Sequence, residues 1–130
     1  MPRTIVIGLI VALALAAVVC IAYFVLAPTQ AGNVEKFDRT FSVSETTLIE
    51  SRTVTREELE KADGKDGRPA YIAIDGVVYD VSSVESWAGG VHHNVLAGRD
   101  LTDEFLKSGH GVRHLQKLAV VGGLEGASEH

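Results

Sequence analysis

The fold is decided by the stretch AYIAIDGVVYDV at residues 70–81. Its two halves, Ala70–Ile74 and Val77–Val81, are rich in the β-branched and aromatic residues that are common in strands. Asp75-Gly76 joins them, and this pair tolerates the positive φ angles of a two-residue hairpin turn. The stretch therefore predicts a β-hairpin.

Short helices are predicted on both sides of this hairpin. Thr55–Glu58 fits a capping box that opens a helix. Farther along the chain, Asp100 can cap a helix over 101–107, residues 112–118 are predicted to form another helix, and 119–121 a closing strand. We expect a small α+β domain of about 70 residues, a size at which a bound cofactor would help to complete the core.

An apolar stretch without any charge runs from Ile5 to Ala27. As a helix it would span roughly 34 Å, enough for a bilayer core of about 30 Å. Arg3 precedes it and the acidic Glu35 and Asp38 follow it, which favours an amino terminus inside and the remainder outside the cytoplasm. We predict a single-pass membrane protein with its anchor at 1–27, and a cleaved signal peptide is the alternative.

The chain after the anchor divides into a spacer at 28–52, a structured domain at 53–125 and a tail at 126–130. The spacer lacks helical periodicity. Phe41 and Val43 alternate with polar residues there, which indicates a short strand.

Composition excludes several classes of protein. With 130 residues and a net charge of −5, a multidomain enzyme and a nucleic-acid-binding protein are both disfavoured. The single cysteine, Cys20, cannot form an internal disulfide or a thiolate metal cage. Of the 12 basic residues only Arg3 precedes the apolar stretch, which leaves 11 against 17 acidic residues beyond it. Such an acidic domain suits a basic soluble partner.

Histidines are concentrated in one part of the chain. His92, His93, His110 and His114 lie close together in sequence, and the first three occur in glycine-rich, turn-forming stretches. Two imidazoles facing each other across an apolar slot are typical of a haem crevice. The apolar residues around these histidines, expected to line the slot, are Val95, Leu96, Leu101, Phe105, Leu115 and Leu118.

The other residue types that bind haem iron are nearly eliminated. Met1 is the only methionine, and Cys20 lies in the apolar stretch. Paired histidines are therefore the leading ligation, with a tyrosine of the hairpin, Tyr71 or Tyr79, as the other candidate. Tyr79 is also expected either to direct its hydroxyl toward the cofactor or to pack on the floor of the sheet.

The order of several motifs resembles the cytochrome b5-like haem/steroid-binding domain family over Val54–Leu124. The resemblance implies a noncovalently bound b-type haem, a sheet floor with helices forming the crevice, and electron transfer by a protein that is not itself an enzyme. The motifs that carry it are DGKDGRPAYIAIDGVVYDV at 63–81, Trp87, AGRDLT at 97–102, SGHG at 108–111 and VVG at 120–122.

The resemblance also suggests the axial ligands. His110, in Ser-Gly-His-Gly, matches the second haem ligand of cytochrome b5. The family's His-Pro-Gly-Gly loop is missing, and the shorter segment here resembles the membrane-associated progesterone-receptor branch. An ungapped count back from Ala97 places His93 where that branch has a haem-ligating tyrosine, and His92 is the alternative.

Three functions are weighed on these grounds. The first is a membrane-anchored electron carrier with a bis-histidine haem and a transient redox partner. The second is a haem-dependent adaptor, or a steroid-like ligand-binding protein, with five-coordinate haem. The third is a zinc site that combines His92 or His93 with His110 and His114, although the sequence has no His-Glu-x-x-His motif to support it.

Overall fold

Residues 2–26 and 35–127 are described by the computed structural model. Residues 1, 27–34 and 128–130, with parts of the predicted anchor, spacer and tail, lie outside the described residues. The chain divides into two units, Met1–Gly32 and Asn33–His130. The first contains helix α1, Arg3–Leu26, in which Arg3–Ala22 is long and apolar enough to cross a membrane.

The second unit is built on a five-stranded mixed sheet. Its strands are β1 (Thr53–Val54), β2 (Tyr71–Ile74), β3 (Val77–Asp80), β6 (Arg99–Asp100) and β7 (Ala119–Leu124). They lie in the order β1-β7-β3-β2-β6. Strands β2 and β3 pair antiparallel, as do β3 and β7, whereas β1 with β7 and β2 with β6 are parallel.

The predicted hairpin is confirmed by strands β2 and β3. Asp75 and Gly76 form its turn with φ angles of 49° and 77°, and Ile74 pairs with Val77. Because side chains alternate along a strand, the hairpin contributes to two cores. Ile72 and its same-face neighbours lie in the larger core beside the helices, and the opposite face packs in a smaller one.

Three predicted helices are present with slightly different ends. They are α3 (Arg56–Lys61), α4 (Thr102–Lys107) and α5 (Val112–Gln116). The Thr55 hydroxyl accepts the Glu58 backbone N–H at 3.0 Å, as an N-cap does. The Asp100 carboxylate accepts the Thr102 backbone N–H at 3.1 Å, so it serves the first turn of α4.

The predicted short strand at Phe41 and Val43 is wrong. A 3-10 helix occupies Glu35–Phe37, and residues Val43–Ser51 form helix α2. Ser42 and Glu45 cap α2 through a reciprocal capping box, a signal that the sequence carried. Since no residue of α2 is fully buried, the helix has no apolar stripe that periodicity could detect. The division of the chain at residues 27, 52 and 125 stays a prediction.

A second, smaller hairpin follows the sheet. It consists of β4 (Val91–His92) and β5 (Val95–Leu96) and comes after an irregular 3-10 segment, Glu85–Gly90. His93 and Asn94 form its turn with φ angles of 46° and 66°, so both residues adopt the left-handed conformation of a tight hairpin. The histidine pair therefore lies at the tip of a hairpin.

Candidate functional site

An apolar cavity of about 560 Å³ opens beside the larger core. Strand β2 forms its floor through Ile72 and Ile74, and the β4–β5 hairpin and helices α4 and α5 supply its walls. Its volume lies within the range of small-molecule and cofactor sites. The cavity contains most of the residues that the sequence predicted, namely His92, His93, His110, Val95, Leu101, Phe105, Leu115 and Leu118.

Two predicted residues do not line this cavity. Leu96 lies in a separate depression with Arg56 and Arg99, because alternate side chains of a strand point to opposite faces and Val95 takes the cavity side. Tyr79 is 1% exposed within the core. The Arg39 guanidinium carbon lies 5.4 Å from the centre of its ring, and burial raises the pKa of its phenol to about 12. Tyr79 therefore acts as a core residue in this structure.

His92 is held in a fixed orientation on one wall. Its Nδ1 lies 2.9 Å from the Ser86 carbonyl oxygen. Because that oxygen can only accept, Nδ1 carries a proton, and in the neutral ring Nε2 then carries the lone pair. The ring also stacks on Trp87 at 5.0 Å between centroids. Metal-ligating histidines are oriented by the same kind of hydrogen bond from the second ring nitrogen.

His93 has a different environment at the tip of the hairpin. Its side chain is exposed, and its ring meets the edge of the His92 ring at 4.3 Å between centroids. The structure describes no hydrogen bond that orients the His93 ring, although the ring does border the cavity. Of the two adjacent histidines, His92 therefore has the geometry of a prepared ligand.

His110 borders the cavity from the turn between α4 and α5. Its ring centroid is 5.7 Å from that of His92 and 4.3 Å from that of His114. Its backbone N–H donates to the Ser108 hydroxyl at 3.2 Å. Burial, followed by the charges of neighbouring groups such as His114, lowers the pKa of His110. A lowered pKa keeps the imidazole neutral, which is the form that binds a metal.

The alternative of a zinc site is not supported by these positions. Across residues 2–26 and 35–127, no group of three or more histidine, cysteine, aspartate or glutamate side chains is arranged to hold a metal ion. His114 is exposed on α5, borders the same cavity, and lies 4.3 Å from the His110 ring between centroids. Two of these histidines, His92 and His110, border the apolar cavity from different elements, with their ring centroids 5.7 Å apart.

Several residues of the cavity were not predicted from the sequence. Ile72 and Ile74 could have been found, because they alternate on the face of β2 that also carries the core. Trp87, one of the family motifs, also lines the cavity. The polar members of the rim depend on tertiary placement, and they are Ser86, Glu104, Ser108 and Lys117.

Comparison with known proteins identifies the family of the folded domain. The family model "Cytochrome b5-like Heme/Steroid binding domain" matches residues 55–125. A cytochrome b5 domain protein of Hadesarchaea is 45% identical, with a TM-score of 0.54, over 57% of this chain and 99% of the other. One from Methanococcoides burtonii is 38% identical, with a TM-score of 0.55, over 58% and 99%.

Longer relatives match over shorter shares of their length. A neuferricin homologue of Drosophila pseudoobscura pseudoobscura is 37% identical over 54 residues, which are 41% of this chain and 19% of the relative. Another from Caenorhabditis briggsae is 36% identical over 78 residues, 51% of this chain and 24% of the relative. This chain therefore matches about a fifth to a quarter of those proteins.

The predicted resemblance and fold are confirmed by these matches. The family model covers more than half of the chain. The two solved relatives share the fold and are 45% and 38% identical in sequence. The match supports haem binding by this domain. The chain belongs to the cytochrome b5-like haem/steroid-binding domain family.

Proposed function

We propose that this protein is a membrane-anchored b-type haem protein that carries electrons, with the haem iron held between His92 and His110. The observation that carries the proposal is the pair of imidazoles on facing walls of one apolar cavity, 5.7 Å apart at their ring centres. Haem, when bound, supplies a one-electron Fe(III)/Fe(II) couple.

The residues of the cavity fit a porphyrin. Ile72, Phe105 and Leu115 are buried and give the apolar surface that the ring requires. Lys117 lies at the rim, where a cation suits the carboxylate of a propionate. An apolar slot with polar groups near one edge is the arrangement that orients an amphipathic cofactor.

His92 is preferred to His93 as the first ligand on geometric grounds. The Ser86 carbonyl fixes the tautomer of His92 and leaves Nε2 free. Trp87 stacks on the ring and limits its rotation. His93 is exposed, and its left-handed backbone serves the hairpin turn. The count from Ala97 that favoured His93 takes no account of this turn.

His110 completes the pair from the opposite wall. Burial lowers its pKa, so its ring is neutral at physiological pH and can donate a lone pair. Glycines on both sides, Gly109 and Gly111, have nothing within 4 Å of where a Cβ would be. This free space allows a flat ligand to approach the loop.

Electron transfer follows from a doubly ligated iron. If His92 and His110 both bind the iron, they would leave it no position for a substrate, so we infer a carrier rather than an enzyme. The chain has 12 basic and 17 acidic residues, and only Arg3 precedes the apolar stretch. The part after that stretch therefore has 11 basic and 17 acidic residues. Its negative charge favours a basic redox partner that docks transiently.

Membrane anchoring is supported by helix α1. Arg3–Ala22 has the length and composition of a membrane span. Arg3 at its start favours an amino terminus in the cytoplasm, which would place the haem domain on the extracytoplasmic side.

The test is spectroscopic and uses the full chain purified in detergent and supplied with haem. We expect a low-spin spectrum in both oxidation states, no binding of carbon monoxide by the reduced form, and a reversible one-electron potentiometric titration. A high-spin spectrum with carbon monoxide binding would favour the five-coordinate adaptor instead. Failure to bind haem at all would overturn the proposal.

A further inference from the structure

We propose that Lys36 and Arg39 are positioning residues for the wall that carries His110. These residues belong to the segment Lys36–Arg39, here called the N-terminal clamp. The inference rests on the proposed function only for its effect on haem, because the contacts are made by the protein itself.

Lys36 holds the end of helix α4. Its Nζ donates to the carbonyl oxygens of Leu106 at 2.8 Å and Ser108 at 2.6 Å, and it lies 3.3 Å from that of Phe105. The last carbonyls of a helix lack partners within the helix and carry partial negative charge. A lysine there fixes the point at which α4 ends, three residues before His110.

Arg39 holds the end of helix α5. Its side chain is only 1% exposed. Nε donates to the Leu115 carbonyl at 2.9 Å, and Nη2 donates to the Leu118 carbonyl at 3.1 Å and to Glu45 Oε1 at 2.9 Å. Leu115 and Leu118 line the cavity, so the same backbone that Arg39 binds also presents the apolar wall.

The two cations bracket the turn that contains His110. Lys36 is bound immediately before the turn and Arg39 after it, although they are only three positions apart in sequence. Phe37, between them, packs against Phe105 at 6.2 Å between ring centroids. One short segment therefore ties together both helices that flank the proposed ligand.

The N-terminal clamp lies outside the part of the chain shared with the family. The family model begins at residue 55. The match to the Hadesarchaea protein uses 99% of that protein but only 57% of this chain. That protein therefore has no counterpart for most of the other 43% of this chain. We infer that the clamp is an addition by which the segment preceding the domain holds its ligand-bearing wall.

The experiment compares Lys36→Met and Arg39→Met with a matched control, Lys61→Met, in the full chain in detergent. The Lys61→Met substitution also removes a positive charge and a 2.6 Å ion pair, the one between Lys61 and Glu57. The Lys61 side chain is exposed on α3, however, and does not border the cavity. Hydrogen–deuterium exchange of the haem-free protein reports the wall directly. Haem dissociation and the reduction potential are measured on the loaded protein.

We expect amides of residues 108–118 to exchange about tenfold faster in both clamp variants, since each loses charge-assisted hydrogen bonds to that backbone. Amides of strands β2 and β3 should keep wild-type exchange. Haem should dissociate about tenfold faster, the reduction potential should shift, and Lys36→Arg should restore wild-type values. The control should match the wild type in every measurement.

Unchanged exchange at residues 108–118 in Lys36→Met would overturn the inference, even if Arg39→Met fails to fold. Equal acceleration throughout the domain would also contradict it, because the role would then be general stabilisation. Should the wild type bind no haem, the proposed function fails while the exchange comparison still decides whether the clamp positions this wall.

Discussion

Gly90 provides a sharp test of how the β4–β5 hairpin places His92. Its φ is +74°, and a Cβ built there would collide with the carbonyl oxygen of Asp63 and lie 3.2 Å from the Cα of Gly64. Its carbonyl accepts the Ala97 N–H at 2.8 Å, which joins the start and the end of the hairpin. Gly90→Ala must therefore displace either the turn at Asp63 or the strand that leads to His92.

Gly89 is the matched control for this substitution. Its φ is +70°, but nothing lies within 4 Å of the position of a Cβ. An alanine in the left-handed region costs about 1–2 kcal/mol at either glycine. Gly90→Ala adds overpacking against backbone, which costs about 1–3 kcal/mol more. The difference in unfolding free energy between the two variants therefore measures the cost of the steric clash, because both variants share the cost of the left-handed backbone.

The assays are urea unfolding of the haem-free protein and titration with haem. We expect Gly90→Ala to lower the free energy of unfolding by about 1–3 kcal/mol more than Gly89→Ala does. It should also weaken haem binding, since His92 lies two residues farther along the displaced strand. Equal losses of stability and equal haem affinities in the two variants would refute the reasoning.

Three further predictions concern the core, a tyrosine and a helix cap. Leu115→Ala should lower the free energy of unfolding by about 2–5 kcal/mol in urea unfolding, because Leu115 is 2% exposed; a loss below 1 kcal/mol would contradict this packing. Burial raises the pKa of Tyr79 to about 12, so the stability it contributes is present below pH 10 and is lost as the pH rises toward 12. Ultraviolet absorbance of tyrosinate, followed against pH in the wild type and in Tyr79→Phe, isolates the ionisation of Tyr79. Ionisation of Tyr79 near pH 10 would disprove the prediction. Thr55→Ala should cost about 1 kcal/mol by thermal unfolding, whereas an unchanged melting temperature would mean that the cap on Glu58 contributes nothing.

Local signals in the sequence were sufficient for much of the fold. The Asp75-Gly76 turn and the Thr55 cap depend on neighbouring residues only, and both are present in the structure. Helix α2 was not predicted, although the sequence carries its capping box at Ser42, because none of its residues is fully buried. Its backbone instead approaches β7 closely, at Ile49 and Gly123. Periodicity cannot reveal a helix without a buried stripe.

The candidate site was predictable in part. Haem binding and most cavity residues followed from the histidines, the apolar residues between them and the family motifs. The prediction that Leu96 lines the cavity did not include strand β5. In that strand the side chains of Val95 and Leu96 point to opposite faces, so Leu96 lies away from the cavity. The orientation of His92 depends on the Ser86 carbonyl, which only tertiary structure brings within 2.9 Å.

The central claim is that His92 and His110 face each other as the two axial ligands of one haem. The most direct measurement is the electron paramagnetic resonance spectrum of the oxidised full chain with His92, His93 or His110 replaced singly by alanine. We predict that His92→Ala and His110→Ala lose the low-spin signal, whereas His93→Ala keeps it. A low-spin signal that survives in His92→Ala and disappears in His93→Ala, or one that survives in His110→Ala, would contradict the account.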